Sequence, residues 1–181
     1  MAYKLRVVHY LNQFFAQVGG EEKGDVGPGV KDGPIGPGRA LQQALGDAGE
    51  VVGTIFCGDN YFAEHETAVV DELISRVAEC KADLLIAGPA FESGRYGVAC
   101  GAIARAAQQK LGIAAVAGMD EDNVGVGLYK KNIYIVNSGA TIARMVPSLQ
   151  RMTALGLKLV RREAIGKLGI DFRDQVVTRI V

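Results

Sequence analysis

The stretch LLIAGPAFESGRYGVACGAIARAAQQKLGIAAVA, residues 84–117, decides the predicted fold. It begins with a short apolar run at 84–87 and ends with a second one at 113–117, and both have the length of a buried strand. Between them, residues 96–111 form an alanine-rich helical segment, and Gly112 stands where helices commonly end. This order of elements predicts strands of a parallel sheet joined by a helix.

The same alternation extends over the rest of the chain. Three further strands are predicted from short apolar runs, at 5–11, 51–56 and 133–136. Two further helices are predicted, at 39–45 and 68–80. A last helix is expected to begin at Ser138 as N-cap and to be kinked by Pro147. The predicted fold class is α/β: a doubly wound, mainly parallel five-stranded sheet with helices on both faces, Rossmann-like or flavodoxin-like, in a single domain over residues 1–181. A helical domain with apolar loops fits the short β-branched runs poorly.

Composition and charge argue against several classes of partner. Twenty basic and twenty acidic side chains cancel, so the charge balance predicts neither nucleic acid nor a membrane as partner. The odd number of cysteines, three, contains no Cys-x-x-Cys pair, and the two histidines are scattered. No disulfide framework and no metal site are therefore expected, and the predicted location is the cytoplasm.

The unusual residues collect in the loops that follow the predicted strands. In open parallel sheets, ligands bind at this edge because loops from several strands meet there. Five such loops are predicted to enclose one pocket, at 12–38, 57–62, 88–95, 118–129 and 137–139. The first is rich in glycine and proline and is interpreted as a functional loop, with a plain surface excursion as the alternative. It contains neither a dinucleotide-binding fingerprint nor a P-loop.

Two side chains in these loops have chemistry that merits a hypothesis. Cys57 follows a strand, where the positive end of the next helix would lower the pKa of its thiol; the alternative is a buried packing residue. Arg95 stands beside a helix start and offers a planar fork for a carboxylate; the alternative is an exposed arginine that caps local structure. Cys80 and Cys100 are interpreted as packing residues, and His9 as a core residue.

Several motifs in these loops resemble one known family. They are YLNQFF (10–15), GGEEK (19–23), GPG (36–38), CGDNYF (57–62), AGPAF (87–91), GRYGVACG (94–101) and LYKK (128–131). In this set and order the sequence resembles the selenoprotein B component of the glycine, sarcosine, betaine and D-proline reductases. The resemblance extends from about residue 5 to residue 160. Two stretches depart from the family's pattern: Glu92-Ser93 and Asp122-Asn123-Val124.

The resemblance implies a substrate-binding reductase subunit that acts with a partner. In that chemistry a partner's pyruvoyl group holds the amine, and a selenocysteine splits the carbon–nitrogen bond reductively. This sequence has no selenocysteine position, and it ends about where the family's N-terminal half ends. We therefore expect no cofactor within this chain, and a pyruvoyl group or a selenocysteine or thiol supplied by a partner.

From the loops and the resemblance together, the catalytic candidates are Cys57 and Glu22. The substrate-binding candidates are Asn12, Gln13, Glu21, Gly36, Gly38, Asp59, Asn60, Tyr61, Gly88, Phe91, Arg95 and Tyr96. Of these, Asn12, Glu22, Asp59, Asn60, Phe91 and Arg95 are expected to point into the pocket.

Three functions compete at this stage. The first is a substrate-binding or catalytic subunit of an amino-acid reductase, which takes a small amino acid or amine and requires another protein subunit. The second is a self-sufficient, cysteine-dependent enzyme of the racemase or lyase type. The third is a non-catalytic binding or assembly subunit. A homo-oligomer stays open in each case, and the isolated chain is not expected to cleave glycine, sarcosine or betaine.

Overall fold

One mainly parallel sheet organises the molecule. We describe it from a computed structural model, in which residues 3–165 and 176–177 are described. The strands are β1 Leu5–Asn12, β2 Gly29–Asp32, β3 Gly49–Cys57, β4 Leu84–Ala87, β5 Ala114–Met119, β6 Tyr134–Asn137 and β7 Val176–Val177. Their order across the sheet is β2-β3-β1-β4-β5-β6-β7. The five inner strands, β3-β1-β4-β5-β6 in sheet order, are parallel to one another. The strands β2 and β7 pair antiparallel at the two edges.

The five parallel strands correspond to the five predicted ones, but the prediction of a five-stranded sheet was wrong. The described residues contain seven strands. The strand β2 lies inside the glycine- and proline-rich loop, has four residues and alternates between half-buried and exposed positions. Such a strand has no apolar run to reveal it, because none of its residues is buried.

The helices cover both faces of the sheet, as predicted. They are α1 Gly38–Leu45, α2 Asp59–Glu79, α3 Gly94–Ala106, α4 Val124–Tyr129 and α5 Met145–Arg161. The helices α1 and α5 pack together on one face, while α2, α3 and α4 pack on the other. After α3 the chain makes one wider helical turn, Ala107–Leu111, and ends in the left-handed conformation at Gly112, the predicted cap position.

Each face of the sheet has its own apolar core. Alternate residues of a strand point to opposite faces, so Val7 contributes to the core under α1 and α5. Its neighbour Val8 contributes to the core under α2, α3 and α4. The two cores fix the strands in register, and the loops at their carboxyl ends are thereby held against one another.

Two helix boundaries differ from the predictions. The helix α2 begins at Asp59, nine residues before the predicted start at 68, and has a non-helical kink at His65. Its first turns are largely polar, so periodicity did not reveal them. The helix α5 begins at Met145 rather than after Ser138, and Pro147 lies in its first turn without causing a kink. Proline is tolerated there because the first helical N–H groups have no partner within the helix.

Candidate functional site

A cleft lies at the carboxyl ends of β1, β3 and β4. Its volume is about 500 Å³, and it is lined by Gln13, Glu21, Gly24, Asp59, Asn60, Ser93, Gly94 and Arg95. Three of the five predicted loops contribute these residues. The loops at 118–129 and 137–139 do not line the cleft, because β5 and β6 lie farther along the sheet from β1 and β3.

Two amide side chains at the end of β1 hold the start of α2. Asn12 and Gln13 are 6% and 5% exposed. The Nδ2 of Asn12 donates to Oδ2 of Asp59 at 2.9 Å, while its Oδ1 accepts from the backbone N–H of Phe15 at 3.1 Å. The Oε1 of Gln13 accepts from the backbone N–H of Asp59 at 3.0 Å. Both the position and the orientation of the Asp59 carboxylate are therefore set from β1.

The Asp59 carboxylate keeps one oxygen without a donor. Its Oδ1 is buried and has no hydrogen-bond partner among the described residues. Burial raises the pKa of Asp59 above its ordinary value of 3.8, while the hydrogen bond from Asn12 and the charge of Arg95 lower it in part. Oδ1 is therefore shielded from solvent, and the Asp59 side chain contributes negative charge to the cleft that it lines.

Arg95 supplies positive charge across the same cleft. It is exposed, and its Nη1 donates to Oδ1 of Asn60. It stands in the first turn of α3, where the backbone N–H groups of Gly94 and Arg95 form no hydrogen bond within the described part of the chain. A guanidinium beside free helix N–H groups favours binding of a carboxylate.

The N-terminus of α2 is closed to a ligand by contrast. The backbone carbonyl of Gly24 accepts from the N–H groups of Asn60 at 3.0 Å and Tyr61 at 3.1 Å. A side chain on Gly58 would come within 2.2 Å of that carbonyl, so the close approach of the two segments requires glycine at position 58. Of the two helix starts at the cleft, only that of α3 therefore has backbone N–H groups without a partner in the described part of the chain.

Neither catalytic candidate, Cys57 or Glu22, lines the cleft. Cys57 is fully buried, its Sγ donates weakly to the carbonyl of Val26 at 3.7 Å, and burial raises its pKa to about 12. The prediction of a lowered pKa for Cys57 was wrong, because the thiol packs in the core instead of facing the helix terminus. Glu22 is exposed and folds back onto the backbone: hydrogen bonds from its own backbone N–H and from that of Gly20, which reaches Oε1 at 2.9 Å, lower its pKa. The prediction that Glu22 points into the pocket was wrong.

The substrate-binding candidates divide into two groups. Those that line the cleft are Gln13, Glu21, Asp59, Asn60 and Arg95. Those that do not line it are Asn12, Gly36, Gly38, Tyr61, Gly88, Phe91 and Tyr96. Asn12 acts on the cleft through Asp59, whereas the ring of Phe91 is buried beside Phe15 with ring centres 6.2 Å apart. The expectation that Asn12 and Phe91 point into the pocket was therefore wrong.

The remaining candidates of the second group have structural surroundings. The ring of Tyr61 packs on His65 at 4.4 Å, and Tyr96 is buried in the core. The carbonyl of Gly88 accepts a hydrogen bond of 2.6 Å from Nε2 of His9. Gly36 has a φ of 51° and lies close to the carbonyl of Phe15. A Cβ atom at Gly38, at the start of α1, would lie 3.4 Å from Nδ1 of His9.

One residue that supports the cleft was missed by the sequence analysis. Asn123 is 4% exposed, and its Nδ2 donates to the carbonyls of Phe91 at 2.9 Å and Ser93 at 3.0 Å. Its Oδ1 accepts from the N–H of Gly125 at 2.9 Å. These bonds tie the segment before Arg95 to the start of α4. An asparagine at the start of a short helix was the only sequence signal.

No membrane-crossing or metal-binding feature appears in the part of the chain that the structure describes. None of its helices is long and apolar enough to cross a membrane. No three histidine, cysteine, aspartate or glutamate side chains group together there as metal ligands.

Comparison with known proteins identifies the family of this chain. The family model for the glycine/sarcosine/betaine reductase selenoprotein B matches residues 4–172. The chain belongs to this family. The resemblance seen in the loop motifs is thereby confirmed.

Relatives from three kinds of reductase complex share most of this chain. It is 53% identical to the glycine reductase complex component B subunit gamma of Carboxydothermus hydrogenoformans, over 90% of this chain and 38% of that protein. It is 45% identical to the sarcosine reductase complex component B subunit beta of Peptoclostridium acidaminophilum, over 90% and 37%. It is 37% identical to the betaine reductase complex component B subunit beta of the same organism, over 89% and 37%. The chain thus spans less than two-fifths of the length of these relatives, and no solved structure matches it significantly.

Proposed function

We propose that this chain is the substrate-binding part of an amino-acid reductase component B and takes a small amino acid or amine into the cleft. The observation that carries the proposal is the pairing of opposite charges across one cleft. Arg95 and the free N–H groups at the start of α3 suit a carboxylate, and the negative charge of Asp59 suits an ammonium group. A zwitterion presents these two groups together.

The sheet topology supports this placement of the substrate. The parallel strands, numbered along the chain, follow the order 2-1-3-4-5 of flavodoxin-like sheets. In such sheets the ligand binds beyond the carboxyl ends of the strands at the point where the strand order reverses. That point lies between β1 and β4, and the cleft lies between the loops that follow these two strands.

The reacting groups come from a partner in this proposal. A pyruvoyl carbonyl and a selenol or thiol supply amine activation and carbon–nitrogen bond cleavage when they are present. No thiol lines the cleft among its described residues. This chain's own contribution is to bind the carboxylate at Arg95, orient the amine at Asp59, and hold both through Asn12, Gln13 and Asn123.

The structure weighs against the self-sufficient cysteine enzyme. That function needs a thiolate that reaches the substrate, and Cys57 is buried with a pKa raised to about 12 by burial. Cys100 is also buried, and burial raises its pKa well above its usual value. All three cysteines are unpaired, which supports the reducing cytoplasm as the proposed location.

Calorimetric titration of the purified chain with glycine and sarcosine tests the proposal. The wild type is expected to bind, and Arg95→Gln to bind about tenfold more weakly or worse, because a charge-assisted hydrogen bond is lost. Arg39→Gln is the matched control, since it removes the same charge from an exposed position on α1 outside the cleft. Absence of binding to the wild type, or equal affinity in Arg95→Gln, would contradict the proposal.

A further inference from the structure

We propose that one enclosed water molecule binds behind the wall of the cleft, between the hydroxyls of Tyr10 and Tyr96 and Oδ1 of Asp59. This site lies on the core side of Asp59, so it is independent of the ligand that the cleft takes. Tyr10 and Tyr96 are then positioning residues that act on Asp59 through the water. The evidence is a group of three polar atoms that are buried near one another without hydrogen-bond partners.

Three buried polar atoms of this region have no hydrogen-bond partner among the described residues. They are Oη of Tyr10, Oη of Tyr96 and Oδ1 of Asp59. Both tyrosine side chains are fully buried and belong to the core under α2, α3 and α4. Buried polar groups in folded proteins are nearly always paired, through an enclosed water molecule where no protein group is available. Three such atoms in one region therefore indicate a shared partner.

The three atoms lie close enough to share a partner. The rings of Tyr10 and Tyr96 pack with their centres 6.2 Å apart. Burial raises the pKa of both tyrosines well above the ordinary value, and the charge of Asp59 raises it further, so its carboxylate lies within electrostatic reach of both hydroxyls. No two of the three atoms form a direct hydrogen bond. Polar groups that are near one another but too far apart to bond directly are commonly joined by a water molecule.

One water molecule can serve all three atoms at once. Its oxygen accepts from the hydroxyls of Tyr10 and Tyr96, and one of its hydrogens is donated to Oδ1 of Asp59. Three hydrogen bonds are the usual number for an enclosed water molecule. The backbone N–H of Asn12 also points toward the Tyr96 oxygen without forming an ordinary hydrogen bond with it. That contact involves the oxygen alone, so the hydroxyl hydrogen of Tyr96 remains available to the water.

The water molecule supports the negative charge that Asp59 contributes to the cleft. Burial raises the pKa of Asp59, whereas the hydrogen bond from Asn12 and the charge of Arg95 lower it in part. A further donor to Oδ1 also favours the charged form and so offsets part of the cost of burial. The thiols of Cys57 on β3 and Cys100 on α3 lie near the same cluster, and burial raises the pKa of both. They stay neutral near pH 7, which leaves Asp59 as the group of the cluster that titrates below it.

Carbon-13 NMR of the side-chain carboxyl groups measures the pKa of Asp59 and tests the proposal. Tyr10→Phe and Tyr96→Phe each remove one hydroxyl that holds the water, so each should raise this pKa by about 0.5–1 pH unit. Because both hydroxyls hold the same water, the double variant should shift the pKa little more than the larger single shift. Tyr134→Phe is the matched control and should leave the pKa unchanged, because its half-buried ring packs against the core under α1 and α5, on the other face of the sheet.

A high-resolution crystal structure of the wild type tests the same site directly. We expect one water oxygen at about 2.5–3.0 Å from Oη of Tyr10, Oη of Tyr96 and Oδ1 of Asp59. Direct hydrogen bonds among these atoms, with no water between them, would overturn the inference. An unchanged pKa of Asp59 in both single variants, or single shifts that simply add in the double variant, would also overturn it. The crystal structure decides the matter even if a variant fails to fold.

Discussion

Replacing Asp59 by asparagine should stabilise the ligand-free protein while it weakens binding. The carboxylate is held by Asn12 on one oxygen and is buried without a donor on the other. Burial raises its pKa above 3.8, and the opposing effects of Asn12 and Arg95 are smaller. At neutral pH the folded chain therefore holds a charge that its surroundings disfavour.

We expect Asp59→Asn to raise the free energy of unfolding by a modest amount. The amide oxygen of asparagine can still accept from Asn12, so the substitution removes the buried charge and retains that hydrogen bond. A buried polar group without a partner costs about 1–3 kcal/mol, and the new amide also lacks one partner, so we expect a net gain of about 1 kcal/mol. In a chain of this size that corresponds to roughly 2–4 °C in the melting temperature.

The pH dependence of this stability difference shows whether the buried charge of Asp59 causes it. Because the folded pKa of Asp59 is raised, its ionisation destabilises the folded state, and the penalty is complete only above the folded pKa. The advantage of Asp59→Asn should therefore be full at pH 7 and shrink as the pH falls toward 3.8.

Urea unfolding of both proteins at pH 7 and at pH 4, with Asp25→Asn as the control, measures the effect. A variant less stable than the wild type at pH 7 would refute the reasoning. So would a gain that is the same at both pH values.

Three further predictions follow from the buried titratable groups and the cleft. His9 is fully buried, and burial lowers its pKa to about 4. The free energy of unfolding should therefore fall by up to about 1.4 kcal/mol per pH unit as the pH is lowered from 6.5 toward 4. In His9→Gln, whose amide can still donate to the carbonyl of Gly88, urea unfolding should show a weaker dependence of stability on pH. Cys80 is half-buried whereas Cys57 and Cys100 are buried, so limited alkylation and peptide mapping should label Cys80 first; faster labelling of Cys57 would restore it as a reactive thiol. The chain alone, with a dithiol reductant, should release no ammonia from glycine and no amine from sarcosine or betaine above a buffer control, and sustained release would contradict the need for a partner.

The parallel part of the fold could be predicted because its strands are short apolar runs between helices. The run at 84–87, for example, is buried at every position. The strand β2 was missed because none of its residues is buried, so it contains no apolar run. The start of α2 was missed because its N-terminus is fixed by contacts from other segments, the carbonyl of Gly24 and the side chain of Gln13. Such contacts between distant residues leave no periodic trace in the sequence.

The position of the cleft could be predicted better than its lining residues. The rule for open parallel sheets predicts a cleft at the strand ends, and Asp59, Asn60 and Arg95 line the one found there. The error at Cys57 arose because position after a strand does not determine whether a side chain faces the cleft or the core. The contribution of Asn123 depends on a loop folding across the sheet edge, which local sequence does not reveal.

A crystal structure of the chain with bound glycine tests the central claim most directly. The account predicts the carboxylate within hydrogen-bond distance of the Arg95 guanidinium and the N–H groups at the start of α3. The ammonium nitrogen is expected about 2.7–2.9 Å from a carboxylate oxygen of Asp59. Glycine bound elsewhere, or bound in this cleft with its ammonium group away from Asp59, would contradict it.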